Sequence, residues 1–152
     1  MNKIFYASII FMMGIFTACK AQVPDDLVKQ NFDFAAEQLV YALHEIDSVK
    51  AGDGRDSLIK VEKPLVSPRT LDENGNLKLV VSRDWTSGFF PGELWYMYEF
   101  TKDPKWEKQA RAFTTTLEVQ KFTKTTHDLG FIMYCSFGNG LRLTNDQSYK
   151  PI

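Results

Sequence analysis

Histidine and cysteine are scarce: the 152-residue chain holds two of each. Cys19 and Cys135 cannot build a disulfide framework within one chain. His44 and His127 form no H-x-x-x-H pair and there is no C-x-x-C, so no metal site is expected. A phosphate-cradling loop is missing too. Gly138-Asn139-Gly140 is not followed by the Lys-Ser/Thr that such a loop requires, and no cofactor is expected. Neither sign of charge dominates. The 18 Lys and Arg stand against 19 Asp and Glu, for a net charge of −1, which leaves nothing to steer the whole molecule toward nucleic acid or an anionic membrane. No apolar run reaches the roughly 20 residues that a membrane-spanning helix needs. Solenoid repeats and low-complexity tracts are also absent.

The N-terminus is a different matter. Lys3 precedes an uncharged apolar run, Ile4 to Phe16, and the small pair Thr17-Ala18 then leads to Cys19. This is the layout of an export signal, so residues 1–22 are set apart from the fold. A cysteine directly after a small-residue cleavage site matches a bacterial lipobox, with Cys19 as the lipidated new N-terminus. Phe16 departs from the aliphatic residue usual three places before that cysteine, and ordinary signal cleavage is the alternative. Membrane attachment is then expected only through the lipid. The expected location is the periplasm, or the outer membrane as a lipoprotein, of a Gram-negative bacterium.

Aromatic residues are plentiful, 14% of the chain, which serves a core and also suits stacking on sugar faces. From Leu27 to about Val49, the positions Val28, Phe32, Ala35, Leu39, Leu43 and Ile46 recur at helical spacing, with Asp25 or Asp26 to cap and Gly52 and Gly54 to end the helix. Pro64, Pro68 and Asn74-Gly75-Asn76 mark a long connection. Its Asn-Gly turn, ahead of the alternating Leu77, Leu79 and Val81, predicts a small hairpin. A short helix is expected from Gly92 to Thr101. Asp103-Pro104 opens another, which carries Trp106, Ala110, Phe113 and Leu117 and ends near Lys121. A further helix is expected from His127-Asp128 to Gly138-Asn139-Gly140, and Thr144-Asn145-Asp146 reads as the start of one more. Cys135 in this stretch reads as a small core residue. The expected fold class is all-α with one β excursion.

Two aromatic-acidic clusters stand out. In Asp84-Trp-Thr-Ser-Gly-Phe-Phe-Pro-Gly-Glu-Leu-Trp95, a loop with two glycines and a proline precedes a helix. It can present Trp85 and the hydroxyls of Thr86 and Ser87 to a ligand, while Phe89, Phe90 and Trp95 read as core. Trp85 fits either role. In Thr125-Thr-His-Asp-Leu-Gly-Phe131, Asp128 sits at a helix start, where the macrodipole favours its charged form. That placement suits orientation or charge stabilisation better than proton donation. Taken alone, it reads first as the position of a plain helix cap, with His127 a loop residue.

Together these runs, with Ser136-Phe-Gly-Asn-Gly-Leu-Arg-Leu-Thr144, closely resemble unsaturated glucuronyl hydrolases, glycoside hydrolase family 88. The resemblance covers most of residues 27–150 and is densest from Ser82 to Thr144. It implies an (α/α)6 barrel of six helical hairpins, of which residues 23–152 would supply roughly the first third to half. The implied substrates are lyase-generated oligosaccharides bearing a 4,5-unsaturated uronic acid at the non-reducing end. The implied reaction is hydration of the double bond: C4 is protonated, water adds at C5, and the resulting hemiketal opens to release the remaining sugar. By motif, Asp128 would be the first of the family's two key aspartates, and His127 and Trp85 would line the subsite for the unsaturated ring.

The proton donor of the family lies later in the chain. Only Asp146 follows here, and its surroundings do not match. The 152-residue chain alone is therefore expected to be inactive. It is also expected to aggregate or be partly disordered, since each large apolar side chain left wet forgoes roughly 1.5–3 kcal/mol. Two alternatives stand beside the hydrolase: a non-catalytic lipoprotein remnant, and a family 105-like unsaturated rhamnogalacturonyl hydrolase.

Overall fold

The computed structural model describes residues 24–52 and 64–150. The expected export signal, Cys19 and Gly54 lie outside them. The chain divides into two compact units, Met1–Gln30 and Asn31–Ile152. In the first, the described residues form the opening turns of helix α1 (Asp25–Gly52), where Asp25 and Asp26 sit favourably at the positive end of the helix dipole.

In the second unit, α1 turns Leu39 and Ile46 into a core shared with Phe90, Leu94, Trp95 and Trp106. Phe32 stacks on Phe100 with ring centroids 3.8 Å apart. The expected hairpin is present as β1 (Leu65–Leu71) and β2 (Leu77–Val81), paired antiparallel with Leu71 opposite Leu77. Asp72 closes the turn: its Oδ1 accepts the N–H groups of Asn74 at 2.9 Å and Asn76 at 2.8 Å. Gly75 takes a φ of 82° there, a conformation glycine adopts without a Cβ penalty. The ladder is irregular around Pro68, which has no N–H to give it.

Helices α2 (Phe89–Thr101) and α3 (Pro104–Thr115) form an antiparallel pair. The first begins before Pro91 because proline is tolerated in a first turn, where its missing N–H has no intrahelical acceptor. The second opens as its sequence dictates, with Asp103 accepting the Lys105 N–H at 2.9 Å. It ends at Thr115 rather than near Lys121. The run Thr114-Thr115-Thr116 is β-branched, and the last two hydroxyls turn back onto the carbonyls of Arg111 and Phe113. A 3-10 turn, Glu118–Phe122, follows. Between the two helices the buried Trp95 donates its Nε1–H to Thr114 Oγ1 at 3.0 Å, which satisfies the indole's one donor.

The last stretch is continuous but changes pitch: α4 (Leu129–Met133), a π-helical turn (Tyr134–Gly138) and α5 (Asn139–Thr144). Within the widened turn, Ser136 donates to the Ile132 carbonyl and Asn139 to that of Cys135. Gly138 and Gly140 do not end the helix, contrary to expectation. At Gly140 a Cβ would lie 2.6 Å from the Tyr149 ring and 2.9 Å from Trp95, so glycine is there for close packing. The true end is Asn145, left-handed at φ 54°. Asp146 then caps only a short 3-10 turn, Gln147–Tyr149, where another helix was expected.

Candidate active site

The two sequence clusters meet at Gly88. A Cβ on this residue would overlap the Phe131 carbonyl oxygen and stand 2.7 Å from the Ile132 Cα. The loop ahead of α2 therefore lies directly on the backbone of α4. One turn along, Gly92 approaches Cys135 in the same way. This contact brings Trp85 beside the helix that Asp128 begins. Trp85, Phe89 and Phe131 form a three-ring cluster, with centroids 5.7 Å apart for Trp85–Phe89 and Phe89–Phe131 and 6.1 Å for Trp85–Phe131.

Trp85 is 43% exposed, whereas the other two tryptophans, Trp95 and Trp106, are buried. Phe90 and Trp95 are core, as expected, but Phe89 is half-buried and extends the ring cluster. The hydroxyls of Thr86 and Ser87 are engaged within the loop. Thr86 donates to Asp84 Oδ1 at 2.6 Å, and buried Ser87 donates to the Ser82 carbonyl at 2.8 Å. Both build the loop instead of decorating it.

Asp84 organises that loop. One oxygen accepts the Thr86 N–H and O–H, and the other accepts Arg69 Nη1 at 2.6 Å from the hairpin. Beneath it runs a chain of polar bonds. Ser67 donates to the Ser87 carbonyl at 2.8 Å, and Gln120 Nε2 to Ser82 Oγ at 2.7 Å. Hydrogen bonds withdrawn from water are costly to break without replacement, so Trp85 rides on a rigid base. Asp84 is the positioning residue that the sequence motif contained but that its composition did not single out.

Asp128 occupies the N-cap position of α4, yet its side chain makes no capping hydrogen bond. Its N–H donates to Thr126 Oγ1 at 3.0 Å. Among the described residues, the carboxylate's partner is His127, whose Nε2 lies 3.4 Å from Oδ1. His127 itself is almost fully exposed and Asp128 mostly covered, with side-chain exposures of 95% and 24%. Asp128 thus stands at the cap position without bonding the helix N–H groups through its side chain. His44, on α1, is exposed and lies 3.8 Å from Glu45, far along the chain from these groups.

Asp146 is unsuited to proton donation. Hydrogen bonds from Ser148 and from Arg111 hold its carboxyl below the ordinary value, whereas a general acid needs the opposite shift. Arg111 reaches it at 2.7 Å and also bonds Glu107, fastening the Gln147–Tyr149 turn to α3. Cys135 is half-buried, and burial pushes its thiol up, away from the reactive thiolate.

An exposed aromatic floor beside a part-covered carboxylate is a surface suited to a sugar ring, carried here on the loop ahead of α2 and the start of α4. A solved structure described as an unsaturated glucuronyl hydrolase specific for heparin matches 83% of this chain, at 37% identity and a TM-score of 0.66. A curated unsaturated glucuronyl hydrolase from Formosa agariphila is 50% identical over 70 residues, which is 46% of this chain. No family model matches. The chain is thus related in sequence and in fold to unsaturated glucuronyl hydrolases, and its helices are part of an (α/α)6, six-hairpin barrel. It spans 30% of the length of the solved relative and 18% of the curated one.

Proposed function

We propose that this chain contributes one wall of the active site of a family 88 glycoside hydrolase. The enzyme would act on oligosaccharides that end in a 4,5-unsaturated glucuronic acid. The observation that carries this reading is the junction at Gly88, which sets an exposed tryptophan and an uncommitted aspartate on adjoining backbone segments. Trp85 offers its face to the unsaturated ring, and His127 stands beside Asp128. Asp128, with no helix N–H groups to satisfy, orients or stabilises charge as C4 is protonated and water adds at C5. The proton itself requires a second carboxylate in another environment, which Asp146 does not provide. Because the solved relative is described as specific for heparin, heparin-type fragments are the first substrates to assay.

The same proposal places the protein outside the cytoplasm. Residues 1–22 would direct export, Cys19 would carry the lipid, and residues 23–152 would form the N-terminal portion of the catalytic domain. Mass spectrometry of the membrane fraction, with and without Cys19→Ser, tests the anchor. For activity, protein expressed from the complete gene is mixed with unsaturated glucuronyl disaccharides and with unsaturated galacturonyl-rhamnose. Loss of the double bond's ultraviolet absorbance with the first group alone supports the reading. Turnover of the second group alone points to the family 105-like chemistry, and turnover of neither overturns the assignment.

A further inference from the structure

Among the described residues, the buried polar side chains are hydroxyls with one exception, the carboxamide of Gln120 in the 3-10 turn. A carboxamide has a donor end and an acceptor end, and here the two serve different segments of the chain. Nε2 donates to Ser82 Oγ at 2.7 Å, and Oε1 accepts the Thr123 hydroxyl at 2.8 Å. Ser82 is the foot of the Trp85 loop, which closes on itself where the Ser82 carbonyl accepts the Ser87 hydroxyl. Thr123 opens the run that leads to His127 and Asp128, and Thr126 within that run accepts the Asp128 N–H. The turn that carries Gln120 is itself held. Leu117, at its start, shares a buried cluster with Ile132 of α4 and Val66 of β1. The Gln120 N–H donates to the Leu117 carbonyl, and its own carbonyl accepts the Thr123 N–H, both at 2.9 Å.

Arg69 and Ser67 tie the Trp85 loop to the hairpin. Gly88 brings the same loop against α4, but contact at one place fixes a distance and leaves an angle free. A tie at a second place removes that freedom. We propose that Gln120 is a positioning residue for the hydrolysis: its amide sets the angle between the Trp85 stacking face and the Asp128 carboxylate, by holding the foot of one segment to the start of the other. The inference rests on the function proposed above and adds to it a residue that acts through Trp85 and Asp128. Stacking depends on the area buried and tolerates a small tilt. A reacting carboxylate does not, since a misplacement of about 1 Å can cost roughly a hundredfold in rate. Loss of the tie therefore belongs in kcat, with KM nearly unchanged.

The test uses protein from the complete gene and the unsaturated glucuronyl disaccharides named above, with rates normalised to folded protein well below the melting temperature. Gln120→Met keeps the length of the side chain and removes both of its hydrogen bonds. It should lower kcat roughly tenfold to a hundredfold with KM nearly unchanged. Ser82→Ala removes the partner of the donor end, and Thr123→Val that of the acceptor end, with little change of shape. Each should lower kcat by a similar factor. The double variant should lose little more than either, because both cuts open one tie. Unchanged kcat in both single variants overturns the positioning role, whatever happens to stability, and leaves the hydrolase reading standing. Losses that multiply in the double variant overturn the single tie through Gln120. These two variants decide the matter even where Gln120→Met does not fold. Failure of the wild type to turn over any of the disaccharides overturns the hydrolase reading itself, and the positioning role with it.

Discussion

The two sides of the candidate site are built by opposite means. The Trp85 side is tied down from every direction: Asp84 gathers Thr86 and Arg69, Ser87 and Ser67 bond beneath it, and Gln120 reaches in from the 3-10 turn. On the Asp128 side the backbone N–H bonds Thr126 and the carbonyl accepts from Phe131, one imidazole lies near the carboxylate, and the helix start is left uncapped by the side chain. A stacking face works by being held still, since its affinity depends on area buried against a flat ring. A reacting carboxylate has to keep its oxygens free of the scaffold. Gly88 joins the rigid half to the open half through backbone contact, so the second borrows its position from the first.

Substitutions at each half should therefore fail differently. Asp128→Asn is expected to have the largest effect, lowering kcat by roughly a hundredfold to ten-thousandfold in protein from the complete gene. The melting temperature should scarcely move. Because asparagine caps as well as aspartate, the structural role is tested by Asp128→Ala: an ordinary capping aspartate would lose about 0.5–2 kcal/mol on that change, and a drop of that size in thermal unfolding would restore the structural role. Gly88→Ala is the converse. Its methyl meets backbone that cannot rotate away, so stability should fall by about 3 kcal/mol or more, as followed by circular dichroism on heating.

Asp84→Asn should be milder, about 1.5–3 kcal/mol, with its effect centred on the Trp85 loop. Trp95 and Trp106 are buried, so acrylamide quenching reports mainly on Trp85. Quenching should rise in this variant, and an unchanged value would mean that the loop does not depend on Asp84. The smallest expected effect is a pH dependence. Burial raises the Glu93 carboxyl, so the native state holds its proton more tightly than the unfolded chain does. The protonated form's contribution is complete below the ordinary glutamate value and is lost as pH rises through the raised one. Glu93→Gln should flatten the slope of melting temperature against pH above that ordinary value. An identical slope in both proteins contradicts the assignment.

Local chemistry was legible in the sequence wherever a residue's role was settled by its neighbours in the chain. Asp103-Pro104 could only open a helix, and Asn74-Gly75 ahead of alternating apolar residues could only turn a hairpin. Both are found. Roles settled by distant partners were not legible. Gly140 reads as a helix end until Tyr149 and Trp95 are seen to leave no room for a Cβ. Thr86 and Ser87 read as ligand-facing until Asp84 and Ser82 are found to accept their hydroxyls. No residue announces the π-helical turn. The proposed site residues Trp85, His127 and Asp128 were singled out mainly through resemblance, because aromatic and acidic residues at a loop end serve cores and caps as readily as ligands. What the sequence could not supply was Gly88 as the junction, or Asp84 as the support.

The central claim is that Trp85 and Asp128 face one ligand. It is tested most directly by titrating an unsaturated glucuronyl disaccharide into the Asp128→Asn protein from the complete gene while following tryptophan fluorescence. With turnover suppressed and the fold intact, a saturable change is expected, and it should vanish in the Asp128→Asn, Trp85→Phe double variant. Calorimetric binding with no change in the tryptophan signal would separate the two residues and contradict the site.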